Sequence, residues 1–320
     1  MPAYRFFQLT ATCFFILTQL SAFAQHNQVQ RFETAVDTAT LKADIKFLSD
    51  KICEGRATGT AGADNARIMI IERFKSMNLS NFGNYFTQSF KIGNSIGRNI
   101  VGFLPSRTKS KKYIIIGAHY DNIGILRNNL YPGADANASG IAALLSLAKI
   151  FSNMEGSAAA PKANIIFVAF DAKEKSLAGS GFFASHLPYQ ASEAICMINI
   201  DQIGTSLAPP SKYPDNYLLI LGRRYLPNNI SSVITASNLS LKHPLKIDYS
   251  FYKSSSFHDT FYRLSDHYPF HKKRIPAVMF TAGINQNNYK TTDTEESINY
   301  TVMKNRILLT AGIIYRLAYR

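Results

Sequence analysis

Apolar positions along this chain fall into two rhythms. Short unbroken runs rich in β-branched and aromatic residues, Tyr113 to Ile116, Asn164 to Phe170, Ala194 to Ile200 and Tyr217 to Leu221, read as strands buried on both faces. Pro276 to Phe280, Tyr85 to Ile92 and Asn99 to Leu104 are further strands. Between these runs apolar residues recur at helical spacing, as Leu41, Ile45 and Leu48 do within 38–50, and helices are also expected over about 63–77, 141–151 and 295–319. Gly55, Gly59 and Gly62 separate the first two helices. Buried strands alternating with helices predict an α/β single domain, a mostly parallel mixed sheet with helices on both faces.

The first 24 residues break that pattern. Arg5 precedes an apolar run through Phe14, Phe15, Ile16 and Leu17, which closes on Ala22-Phe23-Ala24. This predicts a signal peptide cut before Gln25, leaving residues 25–320 as one exported domain, periplasmic or secreted. The run is too short to span a bilayer, and Cys13 lies inside it rather than after it, which argues against a lipid anchor. No membrane span is expected after cleavage. With 46% hydrophobic and 18% charged residues, the composition is that of a folded globular chain. The formal net charge of +14 gathers partly at Lys109 to Lys112, Arg223-Arg224 and Lys272 to Arg274. These clusters lie apart and lack interleaved aromatics, so they read as solvated basic faces, with no nucleic-acid partner expected. They would attract anionic envelope polymers or acidic peptides. Cys53 and Cys196 sit in apolar contexts and read as buried free thiols.

Candidate chemistry concentrates between residues 113 and 140. The strand from Tyr113 ends by presenting His119 and Asp121 two residues apart, hence on one face. A loop carrying Asp135 then opens the next helix, with Asn137 or Ser139 as its cap. Singly, His119 reads as a buried histidine and Asp135 as a turn residue. Together at the C-terminal ends of strands, a His and two Asp suit a divalent cation such as zinc. Two more strand ends deliver Glu174 and Asp201 to the same rim.

At this point the residues resemble the zinc-dependent aminopeptidase family that includes bacterial leucyl aminopeptidase, glutamate carboxypeptidase and the glutaminyl cyclases. The resemblance runs from Leu48-Ser49-Asp50, Glu54-Gly55-Arg56 and Gly59-Thr60 through Ala118-His119-Tyr120-Asp121 and Gly133 to Gly140. It continues through Asn199, Asp201 and Gly204, then Ser265-Asp266-His267 and Phe270, to Ile275-Pro276-Ala277 and Asp293-Thr294. It implies metal-assisted hydrolysis of N-terminal peptide bonds, with peptide or protein as substrate or ligand. It also implies two zinc ions bridged by Asp135, one adding His119 and Asp201, the other Glu174 and a late histidine. Asp121 matches the acid that fixes the His119 tautomer.

Two positions depart from the family. Where its strand-end motif has the glutamate that takes a proton from metal-bound water, this chain has Lys173, and an ammonium cannot accept one. Where the late histidine belongs, Tyr289 stands, and no histidine follows His271. Asp171 is a poor geometric match for a replacement base, and Ala136 replaces a further acid. Asp266 and His267 are read as lining the pocket and starting a helix, as readily structural as substrate-binding. His186, His243, His258 and His271 read as surface or packing residues. The expectation is an exopeptidase with impaired activity or, as the alternative, a non-catalytic relative that binds peptides or a protein partner. A cyclase would need the same missing residues. One tightly held zinc is expected, with two as the upper bound. Lys173 is expected to point inward and stand in for the second ion by pairing with Asp135 and Glu174.

Overall fold

The computed structural model describes residues 31–81, 83, 85–154, 161–206 and 215–319; the leader reading lies outside them. In chain order come α1 (Thr38–Ser49), α2 (Ala61–Ser76), β1 (Ser80–Asn81), β2 (Thr87–Ile92), β3 (Ser95–Leu104) and β4 (Tyr113–His119). The hairpin β5 (Gly124–Leu126) and β6 (Asn129–Tyr131), α3 (Ser139–Ser152), β7 (Asn164–Phe170), α4 (Ala178–Ser185) and β8 (Ala194–Ile200) follow. The last third holds β9 (Tyr217–Leu221), α5 (Asn228–Leu239), β10 (Lys246–Asp248), α6 (Ser255–Tyr262), α7 (Tyr268–Lys272), β11 (Ala277–Thr281) and α8 (Tyr300–Ala318).

The main sheet has the order β1-β3-β7-β4-β8-β11-β9-β10, with β2 also on β3. Its four central strands, β7, β4, β8 and β11, run parallel, while β3 and β9 join them antiparallel on either side. Successive side chains of the central strands enter two apolar layers, as a sheet covered on both faces requires. Ile114, Ile116 and Ala118 of β4 join the larger layer, and Tyr113 and Ile115 join the smaller. The larger layer packs under α1, α3 and α8, and the smaller under Phe183 of α4 and Phe270 of α7. The expected α/β domain is what forms.

Local chemistry sets the boundaries. Asp37 caps α1 by accepting from Ala39 N at 3.0 Å and Thr40 N at 3.2 Å. The last helix starts at Tyr300 rather than near 295, because Glu295–Ser297 is a separate 3-10 turn and the Asn299 side chain caps the helix by accepting from Val302 N. Cys53 and Cys196 are buried and unlinked, and burial pushes their thiols up to about 11 and about 12. Among the described residues no helix is long and apolar enough to cross a membrane. The C-terminal ends of β4, β7 and β8 share one rim, which sets His119, Asp171 and Asp201 side by side.

Candidate active site

His119 is buried at the end of β4. Its Nδ1–H donates to the main-chain oxygen of Asp121 at 2.9 Å, which fixes the ring, and Nε2 faces Asp201 Oδ1 at 3.3 Å. Burial pulls the His119 pKa down, but the Asp201 carboxylate outweighs it and leaves the ring easier to protonate than a free histidine. The tautomer is therefore held by the Asp121 carbonyl; its carboxylate, the expected partner, lies 3.7 Å from Nδ1. That carboxylate instead accepts from Lys173 N at 2.9 Å and Glu174 N at 3.0 Å, and burial pushes it up to about 7.

Asp135 lies in the turn before α3. Gly133 sets that turn with φ 61, where a Cβ would meet Asn122 Nδ2 at 2.2 Å. The Asp135 carboxylate is enclosed by donors: Gly204 N at 2.7 Å and Ser139 Oγ at 3.2 Å on one oxygen, Thr205 Oγ1 and Asn285 Nδ2 at 2.9 Å on the other. A side chain at Gly204 would put its Cβ 3.0 Å from that carboxylate. The Asp293 carboxylate holds the turn itself, accepting from Asp135 N at 2.8 Å and Ala136 N at 3.0 Å. Burial, with Asp135 nearby, raises Asp293 to about 6. Asn137 accepts from Gly140 N, and its amide donates to Ile200 O at 2.9 Å, tying the turn to β8. Ser139 is the first helical residue and Ala138 takes the cap position, so Asn137 supports the helix start from one residue outside it.

Asp201 follows β8, accepts from Ser265 Oγ and is buried. Burial pushes its pKa up, but His119, Lys173 and Ser265 outweigh burial and hold it well below the usual carboxylate range. Lys173 turns inward, with its side chain 9% exposed. Its Nζ lies 2.9 Å from Glu174 Oε1 and 3.5 Å from the Tyr289 hydroxyl. Burial alone would lower the Lys173 pKa; the Asp201 and Glu174 carboxylates overcome that and raise it. Its ion-pair partner is thus Glu174, with Asp201 acting on it through space, rather than Asp135. Asp171 is tied up, accepting from Thr58 Oγ1, Arg98 N and Ala172 N at 2.7–2.8 Å.

Two arginines that the sequence reading left without a role support this rim. Arg56 is fully buried and donates to the carbonyls of Leu48, Tyr120, Pro132 and Gly133. Arg306 of α8 donates to Tyr217 O at 2.9 Å and to Ile203 O and Thr205 O at 2.7 Å. Its signal in the sequence was a charge in helical register with the apolar Val302, Leu309 and Ile313, and that of Arg56 was a place in a motif without a partner.

A cavity of about 400 Å³ opens beside Lys173 and Asp201. Phe251, Phe261, Leu264, Met279 and Ile284 form its apolar wall, and Gln202, Asn285 and Asn288 its polar end. Asp266 and His267, expected to line it, are fully buried outside it; Ser265 is the member of that motif that faces it. Tyr289 is half-exposed at its edge.

The donor set does not fit a two-zinc centre. Among the described residues no three His, Cys, Asp or Glu side chains converge as a metal-holding group. Both Asp135 oxygens are engaged by donors, His119 Nε2 is engaged by Asp201, and the Lys173 ammonium opposes a second dication beside Glu174.

Residues 99–313 match the model of peptidase family M28. The chain is 33% identical over 146 residues to a probable zinc metalloprotease of Pyrenophora teres f. teres, covering 44% of this chain and 30% of that protein. It is 27% identical over 192 residues to aminopeptidase YwaD of Bacillus subtilis, covering 59% of this chain and 36% of that one. The chain thus spans about a third of the length of these curated relatives. In fold it is similar to the aminopeptidase from Aneurinibacillus sp. strain AM-1, with TM-score 0.70 and 16% identity over 91% of this chain and 96% of that one.

Proposed function

This chain belongs to peptidase family M28, and on that footing we propose that it is an exported, aminopeptidase-type member that has lost hydrolysis and keeps its cleft for binding peptides. Membership implies zinc as the family's metal. The observation that carries the reading is the Lys173 ammonium, 9% exposed and 2.9 Å from Glu174. A general base needs a free lone pair within reach of the attacking water. The carboxylates around Lys173 keep its nitrogen protonated, so it has none to offer. Asp171 offers no substitute, since its oxygens already accept from Thr58, Arg98 and Ala172. Tyr289 offers a neutral phenol where the family has an imidazole.

What remains fits recognition. The cavity has the volume and the apolar lining of a small-ligand site. A hydrophobic peptide side chain would pack against Phe251, Phe261 and Met279, while the Gln202 side-chain N–H groups would meet a peptide C=O at the polar end.

The experiment is hydrolysis of aminoacyl p-nitroanilides by purified protein lacking residues 1–24, with zinc added, beside calorimetric titration with leucyl dipeptides and elemental analysis. We expect no turnover above buffer, saturable dipeptide binding, and at most one zinc per chain after dialysis. Zinc-dependent turnover, or two firmly held ions, would overturn the loss of hydrolysis.

A further inference from the structure

A second cavity, of about 620 Å³, opens where the turn after β9, the segment after β10 and α6 meet. It shares a wall with the peptide cleft: α6 sends Phe261 to the cleft, and Ser255, His258 and Asp259 to this cavity. Three cations line it, Arg223, Arg224 and Lys253, against one carboxylate, Asp259.

That carboxylate is already committed. Asp259 Oδ1 pairs with Arg224 Nη2 at 2.5 Å and takes a second bond from His258 Nδ1 at 3.1 Å. His258 Nε2 accepts from Gly222 N at 3.3 Å, so its ring proton sits on Nδ1 and the ring adds no charge. Arg224 and Asp259 therefore cancel. Arg223 and Lys253 have no carboxylate within ion-pair distance among the described residues, which leaves the cavity two positive charges in excess.

The two free cations are of different kinds. The Arg223 guanidinium lies 4.5 Å over the Tyr249 ring. Stacking fixes its plane and leaves its N–H edge for an acceptor in that plane. The turn carrying it is rigidly seated, since a Cβ at Gly222 (φ 96) would meet Tyr262 Cε2 at 2.4 Å and Ala277 O at 2.8 Å. Lys253 is exposed and adds a compact point charge on a flexible stem. Ser231 and Ser255 add hydroxyl donors.

A fixed fork, a separate point charge and hydroxyls lining one cavity suit a tetrahedral oxyanion of charge near −2, which offers acceptor oxygens in several directions. A carboxylate would be met by Arg223 alone. We infer that this cavity is a binding site for a phosphate or sulfate group, with room for a carrier the size of a sugar.

The test is calorimetric titration of the full chain with glucose 6-phosphate, glucose, inorganic phosphate and sulfate, so it does not depend on peptide binding or turnover in the cleft. Glucose 6-phosphate or inorganic phosphate should bind at one per chain, and glucose should not bind. Lys253→Gln and Arg223→Gln should each weaken binding about tenfold, the scale of one charge-assisted hydrogen bond. Lys109→Gln, in a separate basic cluster, should not change it. Tighter binding of glucose 6-phosphate than of inorganic phosphate would assign the site to a carried group, and equal binding to the free ion. Lys253 is exposed, so its variant folds and keeps the test decisive. No saturable heat with any anion, or affinity unchanged in both cavity variants, would overturn the inference.

Discussion

Lys173 Nζ lies 2.9 Å from Glu174 Oε1, an ion pair between consecutive residues. Neighbours along a strand point to opposite sides, so this pairing needs the chain to leave β7 first. It does so at Ala172, whose φ is 60, and the Asp121 carboxylate then gathers the main-chain N–H groups of residues 173 and 174. The result is one buried positive charge placed among acids. Lys173→Met keeps the length of the side chain and removes the charge, leaving Glu174 without its ion-pair partner and Asp201 with only His119 and Ser265. The variant should lose about 3 kcal/mol, the scale of a buried pair with one partner removed. Urea unfolding would show it as a lower midpoint, and an unchanged midpoint would mean that solvent screens those acids.

If hydrolysis has been lost as proposed, restoring it should require both changed positions. Lys173→Glu returns a carboxylate to the base position, and Tyr289→His returns an imidazole at the edge of the cleft. Zinc-dependent hydrolysis of aminoacyl p-nitroanilides should appear in the double variant, at least about 10²-fold above either single variant, the scale of a positioned general base. Elemental analysis should find more zinc in the double variant than in the parent chain.

Stability should rise on mild acidification. Burial raises three carboxyls, Asp121 to about 7 and Asp266 and Asp293 to about 6. A group whose folded pKa lies above its unfolded value holds its stabilisation below the unfolded pKa and loses it as pH climbs through the folded one. These three therefore weaken the fold between about pH 4 and pH 7, and His119, also raised, acts with the same sign. Asp201 and His267 have the opposite sign: the stabilisation from the depressed Asp201 pKa is lost only in stronger acid, whereas burial lowers His267 to about 3, so its contribution falls away below about pH 6.5 and offsets part of the gain from the three carboxyls. The urea midpoint should be higher at pH 5.5 than at pH 7.5. A midpoint that rises with pH across that interval would contradict these assignments.

Arg56 should not tolerate lysine. Its guanidinium reaches four carbonyls in fixed directions, and an ammonium placed there would leave some of them unmet. Arg56→Lys should cost about 3 kcal/mol, the scale of unsatisfied buried acceptors. Denaturant unfolding would measure it, and a loss below about 0.5 kcal/mol, typical of surface changes, would show that the loops it joins hold without it.

The fold was legible because burial on both faces leaves an unmistakable mark. The runs at 164–170, 194–200 and 217–221 are strands with those limits. Short elements were harder: the hairpin β5–β6 is three residues a strand, and α5 and α6 show helical spacing only over one or two turns, as at Ile230, Val233 and Ile234 and at Phe257 and Phe261. The rim was legible as composition, since His119, Asp171, Lys173 and Asp201 meet at adjacent strand ends. Its wiring was not. Whether Asp135 faces a cation or a ring of donors depends on Gly204, Thr205 and Asn285, residues 69, 70 and 150 positions away. No local pattern encodes pairings over such separations. The holder of the His119 ring lies only two residues away, but it is a backbone carbonyl, which every residue has, so it left no trace in side-chain identity.

Arg306 carries a consequence for the order in which this molecule can be made. It sits on α8, yet it pins Ile203 and Thr205, which flank the glycine whose N–H meets Asp135. Chains are synthesised from the N-terminus, and domains fold as their parts emerge. The strands that present His119 and Asp201 are made well before residue 306, but the Ile203 and Thr205 carbonyls lack their guanidinium partner until α8 arrives. A nascent chain stalled before α8 would carry nearly every residue of the cleft and still lack the finished rim, so the proposed peptide binding should appear only in molecules whose synthesis has passed that helix.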